Sequence, residues 1–421
     1  MTLRAVRGVK DILPGEVELW EVVEAEARGL FKAFGYAEVK IPIFEHTSLF
    51  ARSLGESTDI VQKEMYTFED KGGDSITLRP EATASVVRAY IEHNLSHPPR
   101  LLKVFTIGPM FRYERPQAGR FRQFYQMNAE AFGSANPAVD AEVLVLVDTL
   151  FRRLQVGGLE VALNSLGDEN CQPLYKEALT EFLRPRQEAL CEDCKRRVEQ
   201  SPLRVFDCKN PGCQALKEAA PTIDQYLCEA CRDHFDKVQA HLSKVGISYN
   251  LDPHLVRGLD YYTRTTFEVL SSRLGAQNAV CGGGRYDGLV ERLGGPPTPA
   301  IGFAIGIERL VSLLDRSSLA VDEGTPHLFI ATVGGEAEEA AFEIMHALRN
   351  ASIRVEREYE GRSLKAQMKL ADRSQATHTL ILGGDELSRG VALLRDMAAG
   401  FQEEVSLENL VEDVKARLAL P

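Results

Sequence analysis

Between residues 60 and 135 the chain sets four strand-like runs one after another, EMYTFED, SITLRP, KVFTIGPMFRYER and FRQFYQMNAEAFG, broken by one helical stretch, Glu81 to Asn94. Parallel neighbours need a long crossover, usually a helix, between each pair of strands. Strands grouped without such crossovers call for a mainly antiparallel sheet flanked by helices, an α+β class. The flanking pieces are visible on either side. From about Glu16 to Phe34, Trp20, Val23, Ala27, Leu30, Phe31 and Phe34 recur at spacings of three and four, one apolar stripe of a helix. Gly35 caps it, and YAEVKIPIFE then alternates like a strand, which Pro42, having no N–H, places at an edge or an interface. Residues 138–155 read as a second helix and VALNSLG as a further strand.

The texture changes near residue 170. Residues 171–245 are cysteine-rich, charged and helical, and sheet character returns at SYNLDPHLVRGLDYYTRTTFEVL. The reading is a helical insertion, 171–245, in a discontinuous first domain made of 1–170 and 246–318. The stretch DRSSLAVDEGTP has a linker's composition, centred on 319–325. Residues 326–421 then alternate strand and helix, as a small α/β domain does.

Composition narrows the function. With 44% apolar residues over 421, the cores need neither disulfides nor metal to form. Lys+Arg 49 against Asp+Glu 61 leaves −12, which argues against a protein that coats nucleic acid or anionic membrane and still allows a local basic surface. No run approaches ~18 apolar residues, so no membrane span is expected. The start, MTLRAVRGVKDILPGE, has no apolar core of a signal peptide, and a cytoplasmic protein is expected. Of 8 cysteines, Cys191, Cys194, Cys208, Cys213, Cys228 and Cys231 cluster in the insertion, as reduced thiols or a metal knot.

Usual nucleotide signatures are missing: no GxxxxGK[ST] loop, no GxGxxG opening a helix, no GxSxG elbow. CGGGRYDG at 281–288 is either a tight turn or a substrate loop. In PMFRYERPQAGRFRQF, Arg112, Arg115, Arg120 and Arg122 surround a single acid, Glu114. On a continuing strand Arg112 and Glu114 share a face, as a structural ion pair or as a site for a ligand bearing phosphate and amine. AIGFAIGIERL runs from an apolar strand into a helix, with Gly302 and Gly306 permitting close backbone approach before Arg309.

A helix followed by a proline-bearing strand, then FRxE–loop–R, then the glycine-spaced strand ending in Arg309, resembles the three motifs of class II aminoacyl-tRNA synthetases. LVRGLDYY at 255–262 and AVCGGGRYDGL at 279–289 look like the two signature peptides of the histidyl-tRNA synthetase family. TLRPEAT at 77–83 and the small C-terminal domain fit as well, so the resemblance covers nearly the whole chain. It implies an ATP-binding antiparallel sheet, which accounts for the missing phosphate loop, and a C-terminal α/β domain that binds the anticodon. It implies histidine plus ATP giving histidyl-adenylate and pyrophosphate, then transfer of histidine to the 3′ end of tRNA(His), in a homodimer, with magnesium accompanying ATP.

By the same resemblance Arg112, Arg257 and Arg309 are the catalytic cations. Arg112 is expected at the α-phosphate, Glu114 at the adenine amino group, Phe124 against the ring, and Arg120 and Arg309 at the β- and γ-phosphates. Arg257 is expected at the reacting carboxylate and the α-phosphate. Glu81, Ala82, Thr83 and Gln126 are expected around the α-ammonium, Glu130 and Tyr262 at the imidazole nitrogens, and Tyr261 and Tyr286 along the pocket wall. Arg115 and Gln117 are candidates for the tRNA acceptor end. Arg362, Lys365, Lys369 and Arg373, spaced 3, 4 and 4, form a basic stripe on one helix, either a solvated face or a contact for tRNA phosphates. The chemistry needs no metal-ligating residues, and none are assigned; the cysteine spacings suit structural zinc or free thiols alike. His93 and His97, four apart on the expected helix, are a weaker metal candidate. The rival reading is a catalytically silent paralogue that regulates ATP phosphoribosyltransferase. That family lacks the tRNA-binding domain and tends to lose the signature arginine, whereas Arg257 and 326–421 are both present.

Overall fold

In the computed structural model, which describes residues 3–56, 58–98, 100–115, 119–275 and 278–418, six long strands form the expected antiparallel sheet. Their order is Leu102–Phe111, Gln123–Phe132, Ala300–Gly306, Ala279–Arg285, Thr263–Ser271 and Leu159–Ser165. Two-residue strands, Ala37–Glu38 and Asn250–Leu251, add parallel edges at the two ends.

The pleat sorts side chains to opposite faces. On Gln123–Phe132, Met127, Ala129 and Ala131 join a core with the helices Val17–Ala33 and Pro137–Arg153. Helix Val17–Ala33 contributes the anticipated stripe, with Val23, Ala27 and Phe31 fully buried and the Phe31 ring tilted against Phe105, 4.8 Å between centroids. Burying each large side chain of this kind contributes about 1.5–3 kcal/mol. Helix Pro137–Arg153 starts where Asn136 accepts the Ala138 N–H at 2.9 Å, with proline at its first position. The opposite face of the strand carries Phe124, Gln126, Asn128 and Glu130.

Three local readings are corrected. YAEVKIPIFE is not one strand: after Ala37–Glu38 the chain leaves the large sheet, and Phe44–His46 joins Ser75–Leu78 and Tyr66–Glu69 in a separate three-stranded sheet. The buried Arg79 guanidinium takes the carbonyls of Ile41 and Pro42, at 2.8 and 3.1 Å, that a continuous strand would have offered to a neighbour. The strand carrying the arginines ends at Phe111, so Arg112 and Glu114 lie in the irregular segment beyond it. Helix Thr83–Glu92 stops before His93, so His93 and His97 are not one turn apart on a helix.

Between Leu159–Ser165 and Asn250–Leu251 run the helices Gln172–Leu183, Glu192–Gln200, Pro211–Ala215 and Glu229–Lys244. The last of them sends Val238 and Leu242 into the main core. All eight cysteines are free. The chain divides into two units, one reaching to Val321 and one starting at Asp322.

The second unit is a five-stranded mixed sheet ordered Val355–Arg357, Leu328–Val333, His378–Gly383, Val391–Asp396, Gln402–Ser406. The first three strands are parallel and the last two antiparallel. Leu328, Ile330, Leu380 and Leu382 pack on Ala341, Met345 and Leu348 of helix Gly335–Asn350. Helix Leu364–Arg373 is pinned by one buried amide: Gln367 accepts the Thr332 N–H and donates to the Thr332 carbonyl, both at 2.8 Å.

Candidate active site

The face of the sheet turned away from the helices Val17–Ala33 and Pro137–Arg153 floors a cavity of about 270 Å³. Arg112, Glu114, Arg120, Phe124, Gln126, Glu130, Arg257, Tyr261, Tyr262, Tyr286 and Arg309 line it, as do Glu81 and Thr83. Ala82 is fully buried just behind them and does not reach the cavity. Residues from segments spread over positions 81 to 309 thus meet around one space.

At one end sits a carboxylate with almost no solvent. One Glu130 oxygen accepts from the Thr83 hydroxyl at 2.7 Å and the other from the Tyr286 hydroxyl at 2.5 Å. Burial pushes its carboxyl up to about 8, against the pull of those two hydrogen bonds. Gly302 lies directly opposite on the neighbouring strand, and any Cβ there would run into the Glu130 carboxylate. Tyr261 packs edge-on to Tyr286, 5.6 Å between centroids, and lies 4.7 Å from Tyr262. Burial raises all three phenols above their ordinary range. Beside them Glu81 accepts the N–H groups of Thr83 and Ala84, at 2.7 and 2.8 Å, so it caps the helix Thr83–Glu92 while facing the cavity. The Gln126 amide oxygen is buried without a hydrogen-bond partner among the described residues.

The cations occupy the remainder. Arg257 pairs with Glu268; burial is the largest single influence and disfavours its charge, yet Glu268, Tyr262, Asp207 and Cys281 together leave the guanidinium raised. Gly282 leaves the room Arg257 fills, since a Cβ there would meet the guanidinium. Arg112 donates to the Pro80 carbonyl at 2.8 Å and lies 5.5 Å over the Phe124 ring. Glu114 holds Arg120 at 2.7 Å, with Arg112 farther off at 3.9 Å. Arg309 donates to the carbonyls of Gly119 at 3.2 Å and Ala279 at 2.6 Å; burial, then the nearby Arg120, lowers it. Several guanidinium groups share a partly desolvated space, an arrangement that favours a polyanionic ligand.

Sequence reasoning missed several lining residues. Asn128 falls between Gln126 and Glu130 on the same strand face, its amide oxygen buried and unpartnered among the described residues, so strand alternation alone could have found it. Glu268, partner of Arg257, carried no local signal. Glu308 binds the Tyr125 N–H with both oxygens, at 2.9 and 3.1 Å, and burial lifts it to about 7.

The tRNA candidates lie elsewhere. Arg115 is exposed and outside the cavity, and Gln117 falls outside the described residues. Lys365, Lys369 and Arg373 are exposed on helix Leu364–Arg373. Arg362 is not on that helix: it precedes the cap Ser363 and reaches back to Glu358 at 3.4 Å, which shortens the expected stripe to three cations.

Residues 8–310 match the family model "Histidyl-tRNA synthetase" and residues 327–417 the model "Anticodon binding domain". A protein of Desulforamulus reducens named histidine–tRNA ligase is 50% identical over 413 residues, 98% of each chain. One of the same name from Desulfitobacterium hafniense is 51% identical over 418 residues, 99% of each. The crystal structure of apo histidyl-tRNA synthetase from S. aureus superposes with a TM-score of 0.84 at 39% identity, covering 98% of this chain and 100% of that one. Likeness of this extent, in sequence and in fold, makes the chain a member of the histidyl-tRNA synthetase family of class II aminoacyl-tRNA synthetases.

Proposed function

We propose that the chain is a histidine–tRNA ligase: it activates L-histidine with ATP to histidyl-adenylate and pyrophosphate, then transfers histidine to the 3′ end of tRNA(His). The observation that carries this reading is the meeting of Arg112, Arg257 and Arg309 with the Glu130–Thr83–Tyr286 group around one cavity.

In activation an oxygen of the histidine carboxylate attacks the α-phosphorus, an acyl–phosphate bond forms, and pyrophosphate leaves with the electrons of the broken P–O bond. The carboxylate is already ionised, so no general base is needed. The obstacle is charge: anion approaches anion, and negative charge grows on the phosphoryl oxygens. Arg257 and Arg112 are placed to face that charge, and loss of one such preorganised donor generally costs about 10²–10³-fold in rate. Glu268 holds the Arg257 guanidinium in position. Arg120 and Arg309 take the β- and γ-phosphates. When Arg120 turns to them it releases Glu114, its partner here, to accept from the adenine amino group, with Phe124 against the ring.

Histidine sits at the Glu130 end. Glu81, Thr83 and Gln126 surround the α-ammonium. Glu130 accepts from one imidazole nitrogen and Tyr262 bonds the other. A buried carboxyl left without an N–H partner makes side chains lacking one unfavourable, a discrimination of ~10⁴–10⁵ in sites of this type.

Magnesium accompanies ATP. Among the described residues, groups of three or more metal-ligating side chains with converging ligand atoms lie in the cysteine clusters and not in this cavity, so the lining offers it no cage of its own. Arg115 near the motif loop, and Lys365 and Lys369 on their exposed helix face, are placed for tRNA phosphates. The protein acts as a homodimer; Ile43, Phe44 and Phe68 are 44%, 54% and 49% exposed in and beside the three-stranded sheet, an apolar face suited to a second copy. It works in the cytoplasm, where thiols stay reduced; no helix of the described residues is long and apolar enough to cross a membrane. The regulatory alternative is disfavoured because Arg257 lines the cavity and residues 327–417 match an anticodon-binding model.

ATP–pyrophosphate exchange with each standard amino acid tests this reading. Exchange with histidine alone is expected. Histidine binding without exchange would favour the regulator, and exchange with another amino acid would overturn the substrate assignment.

A further inference from the structure

Seven of the eight cysteines lie within or at the root of the helical insertion, and the fold sorts them into two sets. Cys191, Cys194, Cys208 and Cys213 bring four sulfurs within 4.8 Å of one another. Cys171, Cys228 and Cys231 gather in the same way around a carboxylate oxygen of Asp168. Buried cysteines that serve only as packing behave as small apolar groups and have no reason to converge sulfur on sulfur. The spacing is also wrong for disulfides. The Cys191 and Cys208 sulfurs are 3.7 Å apart, whereas a disulfide would bring them to about 2.05 Å. Four sulfurs at about 2.3 Å from a central zinc stand about 3.8 Å from each other.

We propose that each set holds one structural zinc ion, by four thiolates in the first and by three thiolates and Asp168 in the second. The surroundings suit thiolates. The Cys191 N–H points to the Cys213 sulfur at 3.3 Å, the Asn210 N–H to the Cys208 sulfur at 3.4 Å, and the Cys228 N–H to the Cys171 sulfur at 3.1 Å. In both CxxC pairs the first cysteine caps a helix, Glu192–Gln200 or Glu229–Lys244, whose positive end meets the sulfurs. The second Asp168 oxygen faces Arg264 at 3.4 Å, an outer partner that would orient a ligating carboxylate. Four protein ligands close each site, so neither ion has an open position for chemistry.

The two knots flank the segment that carries Arg257 and the tyrosines. Arg204 lies between Cys194 and Cys208; it is buried, donates to the Gly258 carbonyl at 3.1 Å and stands 3.7 Å from Asp260. At the second knot, Arg264 and Gly167 share a backbone hydrogen bond of 2.7 Å, and Gln172 donates to the Tyr262 carbonyl at 3.3 Å. None of the eight ligands lines the catalytic cavity, so the ions hold the Arg257–Tyr262 segment in place from behind.

Metal content tests the proposal independently of any catalytic reading. The full chain, grown with zinc and iron present and purified without chelator, is expected to contain about two zinc ions per chain and essentially no iron by plasma mass spectrometry. Cys213→Ser and Cys231→Ser are each expected to keep about one. Should a variant fail to fold, titration of the unaltered protein with an organomercurial gives the second readout. Zinc is expected to be released as the thiols are blocked, two ions in all, followed with a chromogenic chelator. Zinc far below one per chain, or iron in its place, would overturn the assignment, as would thiols that titrate without releasing zinc. One ion per chain, lost in only one of the variants, would overturn it for the other knot.

Discussion

The cavity on the large sheet (the proposed active site) and the helix Leu364–Arg373 both present rows of cations, and they differ in what surrounds them. In the cavity Arg257 is held by Glu268, Arg112 by the Pro80 carbonyl, and Arg309 by the carbonyls of Gly119 and Ala279. Lys365, Lys369 and Arg373 stand exposed on one helix face. The first arrangement spends folding energy to fix charge in low dielectric, where each guanidinium acts strongly on a bound anion. The second leaves charge in water, where each contact is weak, additive and screened by salt.

Substitutions should separate the two regions by size of effect. Arg257→Ala is expected to lower histidine-dependent pyrophosphate exchange by about 10²–10³-fold with the circular dichroism spectrum unchanged. A loss below tenfold would move Arg257 to the weak class. Glu130→Gln puts an amide NH2 donor where one of the two accepting oxygens stands and removes the ionisable group, and kcat/KM for histidine is expected to fall about 100-fold with the KM for ATP little altered. Gly302→Ala drives a methyl into that carboxylate and should destabilise the first unit by about 1–3 kcal/mol in urea melts. On the exposed helix, Lys365→Ala and Lys369→Ala should each raise the KM for tRNA only a few-fold and lower the salt slope by about 1, leaving pyrophosphate exchange untouched. A large effect of either lysine on exchange would erase the contrast.

The smallest effect concerns protons. Glu130 keeps its proton up to about 8 in the folded protein, whereas an unfolded glutamate releases it near about 4.3. Between those values the folded state binds more protons, so stability declines as pH rises and the contribution is gone above about 8. The melting temperature of the ligand-free protein should therefore fall more steeply between pH 6 and 8 in the wild type than in Glu130→Gln. Parallel slopes would mean that this carboxyl is not protonated there.

The sheet was readable in advance from the grouping of strands, and most cavity residues from the motifs that resemble the family's. Strand alternation puts Phe124, Gln126 and Glu130 on one face, and the glycines of AIGFAIGIERL mark where a strand meets a cavity. Asn128 obeys the same rule and was overlooked only for want of a motif. Other features depend on partners far away in the chain. Nothing near Pro42 announces that Arg79 takes the carbonyls of Ile41 and Pro42 and ends the strand. The Arg112 N–H still bonds the Arg122 carbonyl at 2.9 Å in the sheet's register, but the Arg122 N–H goes to the Gly8 carbonyl at 2.6 Å, so the ladder stops at Phe111. The pairing of Arg257 with Glu268, and the grouping of Cys171 and Asp168 with Cys228 and Cys231, join residues that only the folded sheet brings together.

In the proposed complex, guanidinium groups scattered along the chain converge on one triphosphate next to a pocket shaped for imidazole. A crystal structure with histidine and a non-hydrolysable ATP analogue bound addresses it most directly. The α-phosphate is expected within hydrogen-bond reach of Arg112 and Arg257, the outer phosphates at Arg120 and Arg309, and the imidazole between Glu130 and Tyr262. A triphosphate bound away from Arg257, or an imidazole ring that leaves Glu130 bonded only to Thr83 and Tyr286, would contradict it.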